Sequence, residues 1–126
     1  MFKNKKVFIL GMARSGYEAA KILISRGNEV FLNDMKEEEK QNKEQVEELR
    51  NLGVHLFFGS HPDDLFDESF DYLIKNPGIP INHKYVLKAR ELNKEKTTDF
   101  FSPGKVMKSP PRYLIMNGKI NLTEYC

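Results

Sequence analysis

The residues of this chain whose types and spacing suit chemistry fall in four short clusters. In the first, the apolar run Val7-Phe8-Ile9-Leu10 turns through Gly11-Met12-Ala13-Arg14-Ser15-Gly16 into a helical pattern. A turn of small residues entering a helix offers unpaired backbone N–H groups and the positive end of the helix dipole, so an anionic group can sit against it. That is binding chemistry, and it needs no reacting side chain. The other clusters are Asn33-Asp34-Met35-Lys36, Gly59-Ser60-His61-Pro62 and Lys75-Asn76-Pro77-Gly78-Ile79-Pro80.

Each cluster admits more than one role. Gly11 to Gly16 would match the dinucleotide fingerprint G-x-G-x-x-G if Ala13 were glycine, and the Ala13 Cβ stands where that fingerprint brings backbone against a pyrophosphate. Asp34, ending a strand, suits a ribose-binding carboxylate, an acceptor for a base imide, or a cap on the following helix. Lys36 and Arg14 either meet phosphate or base, or are simply solvated. His61 is held in a turn with no metal partner or nucleophile at catalytic spacing, which points to ligand contact or packing rather than catalysis. Asn76 offers amide hydrogen bonds and Pro77-Gly78 lets backbone approach a ligand, or the segment is an ordinary tight turn. The sequence has no Ser/His/Asp series, no suitably set pair of carboxylates and no G-x-x-x-x-G-K-[S/T] loop, so a self-sufficient enzyme is not expected.

The elements that must position these clusters alternate between strand and helix. Lys6 to Leu10 reads as a strand buried on both faces, followed by a helix capped by Ser15, with Tyr17, Ala19, Ala20, Leu23 and Ile24 at helical spacing. Glu29 to Asp34 is a second strand. Lys36 to Leu52 reads as one exposed helix with a narrow apolar stripe at Val46, Leu49 and Leu52, and Val54 to Gly59 as a third strand in which His55 is structural. Phe70 to Lys75 is a fourth, and Asn82 is expected to cap a helix through Leu92. The fold class is therefore α/β: a Rossmann-like parallel sheet of four to five strands with helices on both faces. Ligands bind such sheets outside the carboxyl ends of the strands, where all four clusters lie.

Composition fits that picture. The chain has 126 residues, enough for one domain, with 30% charged and 40% hydrophobic residues and a formal net charge of +2. Neither a nucleic acid nor a membrane partner is called for. With no signal-like or membrane-length apolar run, a cytoplasmic location is expected. Cys126 is the sole cysteine, which excludes an internal disulfide or a cysteine-built metal site, and no metal ligands are assigned.

Taken together, the four clusters, in this order and spacing, resemble the N-terminal domain of the Mur ligases, over residues 5 to about 93. Within them the resemblance is nearest to the branch that adds D-glutamate to UDP-N-acetylmuramoyl-L-alanine in peptidoglycan biosynthesis. The resemblance implies a Rossmann-like domain that holds the UDP part of that substrate. It implies that Ala13, Arg14, Ser15 and Gly16 hold the diphosphate, that Asp34 accepts from the uracil imide with Met35 and Lys36 flanking the base, and that Ser60, His61, Asn76 and Gly78 line the remaining edge. The full-length family uses ATP and Mg, held outside this domain, so no cofactor and no catalytic residue is assigned to this chain. An NAD(H)-binding Rossmann sensor or oxidoreductase domain, and a non-binding remnant or interaction module, are the alternatives.

Residues 94–126 depart from the resemblance: they contain neither the next strand pattern nor the Gly-rich, Lys-containing ATP loop. The expected organisation is a UDP-substrate-binding domain at 1–93 and an unmatched tail at 94–126, a truncated, frameshifted or deliberately cut end. Tyr113 to Met116, Asn117-Gly118 and Lys119 to Leu122 carry a β-hairpin signal. Without that hairpin as cover, an exposed sheet edge is expected to favour pairing between chains.

Overall fold

Five strands form one parallel sheet in the order β3-β2-β1-β4-β5. The structure, a computed structural model, describes residues 3–76, 78–80, 82–96 and 113–115. The strands are β1 (Lys6–Leu10), β2 (Glu29–Asp34), β3 (His55–Phe58), β4 (Tyr72–Lys75) and β5 (Tyr113–Ile115), and the helices are α1 (Ala13–Ser25), α2 (Lys43–Leu52) and α3 (Lys84–Lys96). This is the α/β, Rossmann-like architecture expected from the sequence. Among the described residues no helix is long and apolar enough to cross a membrane.

The central strand explains why the chain opens on an unbroken apolar run. Val7 and Ile9 face one layer, with Ala19, Ala20 and Leu23 of α1 and Val46 and Leu49 of α2. Phe8 and Leu10 face the other, with Phe66, Phe70 and, from α3, Tyr85, Val86 and Ala89. A strand covered on both sides has no polar face to alternate with. Phe8 is the hub of the second layer: its ring meets Phe66, Phe70 and Tyr85 edge-on at centroid distances of 5.4, 5.2 and 5.3 Å, the favoured geometry for aromatic quadrupoles.

Helix α1 stops where the sequence breaks its pattern. The Gly27 N–H donates to Ile24 O at 3.2 Å and the Asn28 N–H to Leu23 O at 3.3 Å, the paired bonds of a Schellman close. Its start differs from expectation. The helix begins at Ala13, with Met12 as its flanking residue and no side-chain cap, so Ser15 lies inside the first turn instead of capping it.

The expected helix from Lys36 to Leu52 is also shorter. A 3-10 turn at Glu38–Lys40 precedes α2, and the Asn42 side chain caps α2 by accepting from the Gln45 N–H at 3.1 Å. A residue able to bond the backbone this way starts a new helix in place of continuing an old one. In α3 the cap is His83, not Asn82: its Nδ1 accepts from the Tyr85 N–H at 3.1 Å.

The tail contributes to the sheet. Tyr113–Ile115 pairs parallel with β4 in the register Leu73↔Tyr113, Ile74↔Leu114 and Lys75↔Ile115. The first arm of the expected hairpin is thus a strand that pairs with β4, while the Asn117-Gly118 turn and the second arm lie outside the described residues. Strand β3 ends the sheet on the other side, and Phe57 on it is 37% exposed.

Candidate functional site

Consecutive strands β1, β2 and β3 run outward in one direction, and the chain then returns to place β4 on the opposite side of β1. The reversal leaves a crevice at the carboxyl ends of β1 and β4, where doubly wound sheets take their ligands. Gly11 follows β1 there with φ of +99°, and a Cβ on it would stand 3.0 Å from the Asn76 Cβ after β4. Backbone at the head of α1 therefore runs directly against the loop that follows β4. A second glycine closes the turn from inside: a Cβ on Gly16 would stand 2.2 Å from the Gly11 carbonyl oxygen, so α1 packs on the strand end only without one. Between them Ala13 is exposed and carries a positive φ of +31°.

Asp34 fixes this turn from the neighbouring strand. One carboxylate oxygen accepts from the Met12 N–H at 2.8 Å and the other from the Lys36 N–H at 2.8 Å. The Gly11 N–H donates to Asn33 O at 2.8 Å, and the Gly59 N–H to Asp34 O at 2.9 Å. A carboxylate offers about four acceptor positions, so Asp34 keeps acceptor capacity after bracing both loops.

Asn33 ties the third loop in. It is fully buried, and its Nδ2 donates to Phe57 O at 2.9 Å and Ser60 O at 2.8 Å. Two carbonyl partners settle the orientation of the amide, so Oδ1 faces His61 Nδ1 at 2.5 Å and that nitrogen must donate. Neutral His61 thus carries its proton on Nδ1 and presents the Nε2 lone pair. Its ring meets His83 at 4.6 Å and Tyr85 at 5.7 Å between centroids. Burial, then the Lys84 charge, hold the His61 pKa below the usual imidazole value, against a smaller upward pull from Asp34. His83 is pushed the same way, first by burial and then by His61 and Lys84.

After β4 the chain turns at Asn76, whose Oδ1 accepts from the Gly78 N–H at 3.1 Å, while the Ile79 N–H donates to Asn76 O at 2.9 Å. The Asn76 N–H donates to Leu10 O at 3.0 Å, so all four expected clusters are linked by hydrogen bonds, and Asn76 also packs on Gly11. Ser60 is exposed beside the Asn33 amide, as is Gly78 in its turn, and Met35 and Lys36 stand exposed at the rim. Arg14 is less committed to the crevice: its side chain is 87% exposed and pairs along the helix with Glu18 at 3.5 Å. His55 lies away from the site on β3, stacked on Phe31 and paired with Glu29.

The sequence clusters include Asn33 and Lys75 but give neither a role, and they leave out His83. An asparagine closing an apolar strand and a lysine closing another were the available signals, since both types are seldom fully buried without partners.

The class that the fold defines is a doubly wound α/β domain, with a candidate crevice at the β1/β4 switch point. The chain belongs to the family described as Mur ligase MurD-like, N-terminal domain, whose model matches residues 5–97. Over 90 residues it is 49% identical to the UDP-N-acetylmuramoylalanine–D-glutamate ligase of Enterococcus hirae, covering 71% of this chain and 19% of that protein. The enzymes of the same name from Lactobacillus gasseri and Streptococcus mutans are each 45% identical, over 93 and 92 residues, covering 73% of this chain and 20% of each relative. The chain thus spans about a fifth of the length of these curated relatives. Among solved structures, a Pyrococcus horikoshii protein aligns at 26% identity with a TM-score of 0.43, covering 75% of this chain and 23% of its own.

Proposed function

We propose that this chain is the substrate-binding N-terminal domain of a D-glutamate-adding peptidoglycan-precursor ligase, and that it holds the UDP part of UDP-N-acetylmuramoyl-L-alanine without turning it over. The observation that carries this reading is the bracing of the α1 head by Asp34, which ties a phosphate-type turn to a carboxylate with acceptor capacity left over. In this reading Ala13 to Gly16, at the positive end of α1, take the diphosphate. Asp34 accepts from the uracil imide, and Met35 and Lys36 flank the base. Ser60, His61, Asn76 and Gly78 line the rest, with His61 Nε2 an acceptor for a ligand hydroxyl or N–H. Residues 1–126 contain no G-x-x-x-x-G-K-[S/T] loop, and this reading assigns them binding alone.

Calorimetric titration tests the reading. UDP-N-acetylmuramoyl-L-alanine is expected to bind saturably, UDP to compete, and Asp34→Ala to weaken binding about tenfold or more, the loss of one or two bonds to a charged acceptor. Absence of heat from a folded sample, or tighter binding of NADH than of UDP, overturns it.

A further inference from the structure

Lys75 closes β4 with its side chain buried, at 3% exposure. Its Nζ donates to Ile79 O at 2.8 Å and lies 3.4 Å from Asn76 O. No carboxylate lies within ion-pair distance of it among the described residues, and burial alone pulls its pKa down. Lysines are almost never buried without a countercharge, because carbonyl dipoles only partly replace lost hydration. Both carbonyls it engages belong to the turn whose Asn76 packs on Gly11. An ammonium with no carboxylate partner among the described residues thus sits beside the crevice, bonded to one wall of it.

We propose that Lys75 is a positioning residue of this crevice: its ammonium clamps the Asn76–Ile79 turn against Gly11 and supplies a buried positive charge that favours an anionic ligand. The anion is a diphosphate if the functional reading above is right, and on that reading this half of the proposal rests. The clamp stands independently of it. A charge held in low dielectric acts on a neighbouring anion with little screening, and by reciprocity the anion stabilises the charged form of the lysine.

The test uses the full chain. In ligand-free protein, Lys75→Met is expected to speed amide hydrogen exchange at Gly78 and Ile79 about tenfold or more, the loss of a charged hydrogen bond, while β1 amides stay protected. In wild type, UDP or inorganic pyrophosphate is expected to shift the Lys75 Cε and Nζ resonances and raise their titration midpoint. Lys75→Met is also expected to weaken UDP binding, with the difference from wild type shrinking as pH rises through the Lys75 midpoint. Unchanged exchange at Gly78 and Ile79 overturns the clamp, and lysine resonances indifferent to bound UDP overturn the electrostatic role. If Lys75→Met does not fold, Lys75→Gln, too short to reach Ile79 O as lysine does, takes its place in the exchange measurement, and the wild-type resonances decide the electrostatic role. Failure of folded wild type to bind UDP or pyrophosphate overturns the functional reading and the electrostatic role together, with the clamp still judged by exchange.

Discussion

Asp34, at the end of β2, reaches across to the backbone of Met12, and the 2.8 Å bond from the Met12 N–H to its Oδ2 starts α1. The helix has no side-chain cap from its own chain neighbourhood, so this long-range carboxylate does the work of one. Asp34→Ala is expected to destabilise the protein by about 2–3 kcal/mol, since it releases two backbone donors in a half-buried site. Asp34→Asn keeps one acceptor and is expected to lose about half as much. Urea unfolding of the pair checks this, and equal losses would mean that the carboxylate charge, and not the number of acceptor oxygens, carries the stabilisation.

The two glycines at Gly16 and Gly53 separate crowding from backbone strain. Gly53 has φ of +98° and nothing within 4 Å of an added Cβ, whereas a Cβ at Gly16 would stand 2.2 Å from a backbone oxygen. Gly53→Ala is expected to cost about 1–2 kcal/mol, the left-handed penalty alone. Gly16→Ala must displace α1 from β1, and is expected to cost more than Gly53→Ala and to weaken any ligand held at the α1 head. Chemical denaturation ranks the two.

Below neutral pH the imidazoles set the stability. His61 and His83 both titrate below the usual imidazole value of 6.5 in the folded chain, chiefly through burial. An unfolded chain therefore takes up protons first as pH falls, so stability is full above about 6.5 and declines from there toward the lowered folded values. Protonation of His83 at Nδ1 also removes the acceptor that caps α3. Melting temperatures are expected to drop as pH falls below about 6.5, and His61→Gln with His83→Asn to flatten that drop. A wild-type profile flat through this range contradicts the assignment.

Strand β5 can be tested through its backbone. Successive N–H groups along a strand point to opposite sides, so one of Leu114→Pro and Ile115→Pro must remove a donor aimed at β4. That variant is expected to lose about 1–2 kcal/mol and the other less. Indifference to both, measured by thermal melts, is inconsistent with the register Ile74↔Leu114.

The order of strands and helices through α3 was legible because burial forces it into the pattern: β1 shows no polar residue from Val7 to Leu10, and α1 repeats its apolar positions every three or four residues. Element ends were not legible where the deciding partner is remote. Ser15 looked like the cap of α1, yet Asp34 holds the Met12 N–H from another strand and moves the start to Ala13. Asn33 reads as the polar end of the second strand, and its role shows only when β2–β3 pairing surrounds its amide with Phe57, Ser60 and His61. The burial of Lys75 was not legible either, because the carbonyls of Ile79 and Asn76 that accept from its Nζ are brought together only by the folded turn. In the tail, the apolar run at Tyr113 was readable as a strand, but its parallel pairing with the distant β4 was not, because no local pattern marks that partner.

The position of β1 at the middle of the sheet also shapes how the chain comes off the ribosome. Its pairing with β2 joins Val7 to Val30, whereas its other edge waits for Tyr72. At roughly 5–20 residues per second, the interval between the emergence of β2 and that of β4 is on the order of 2–8 seconds. Throughout that interval the most apolar strand of the protein has one side open to any neighbouring nascent chain. Any slowing of synthesis before Tyr72 emerges lengthens the time for which that edge of β1 stays unpaired.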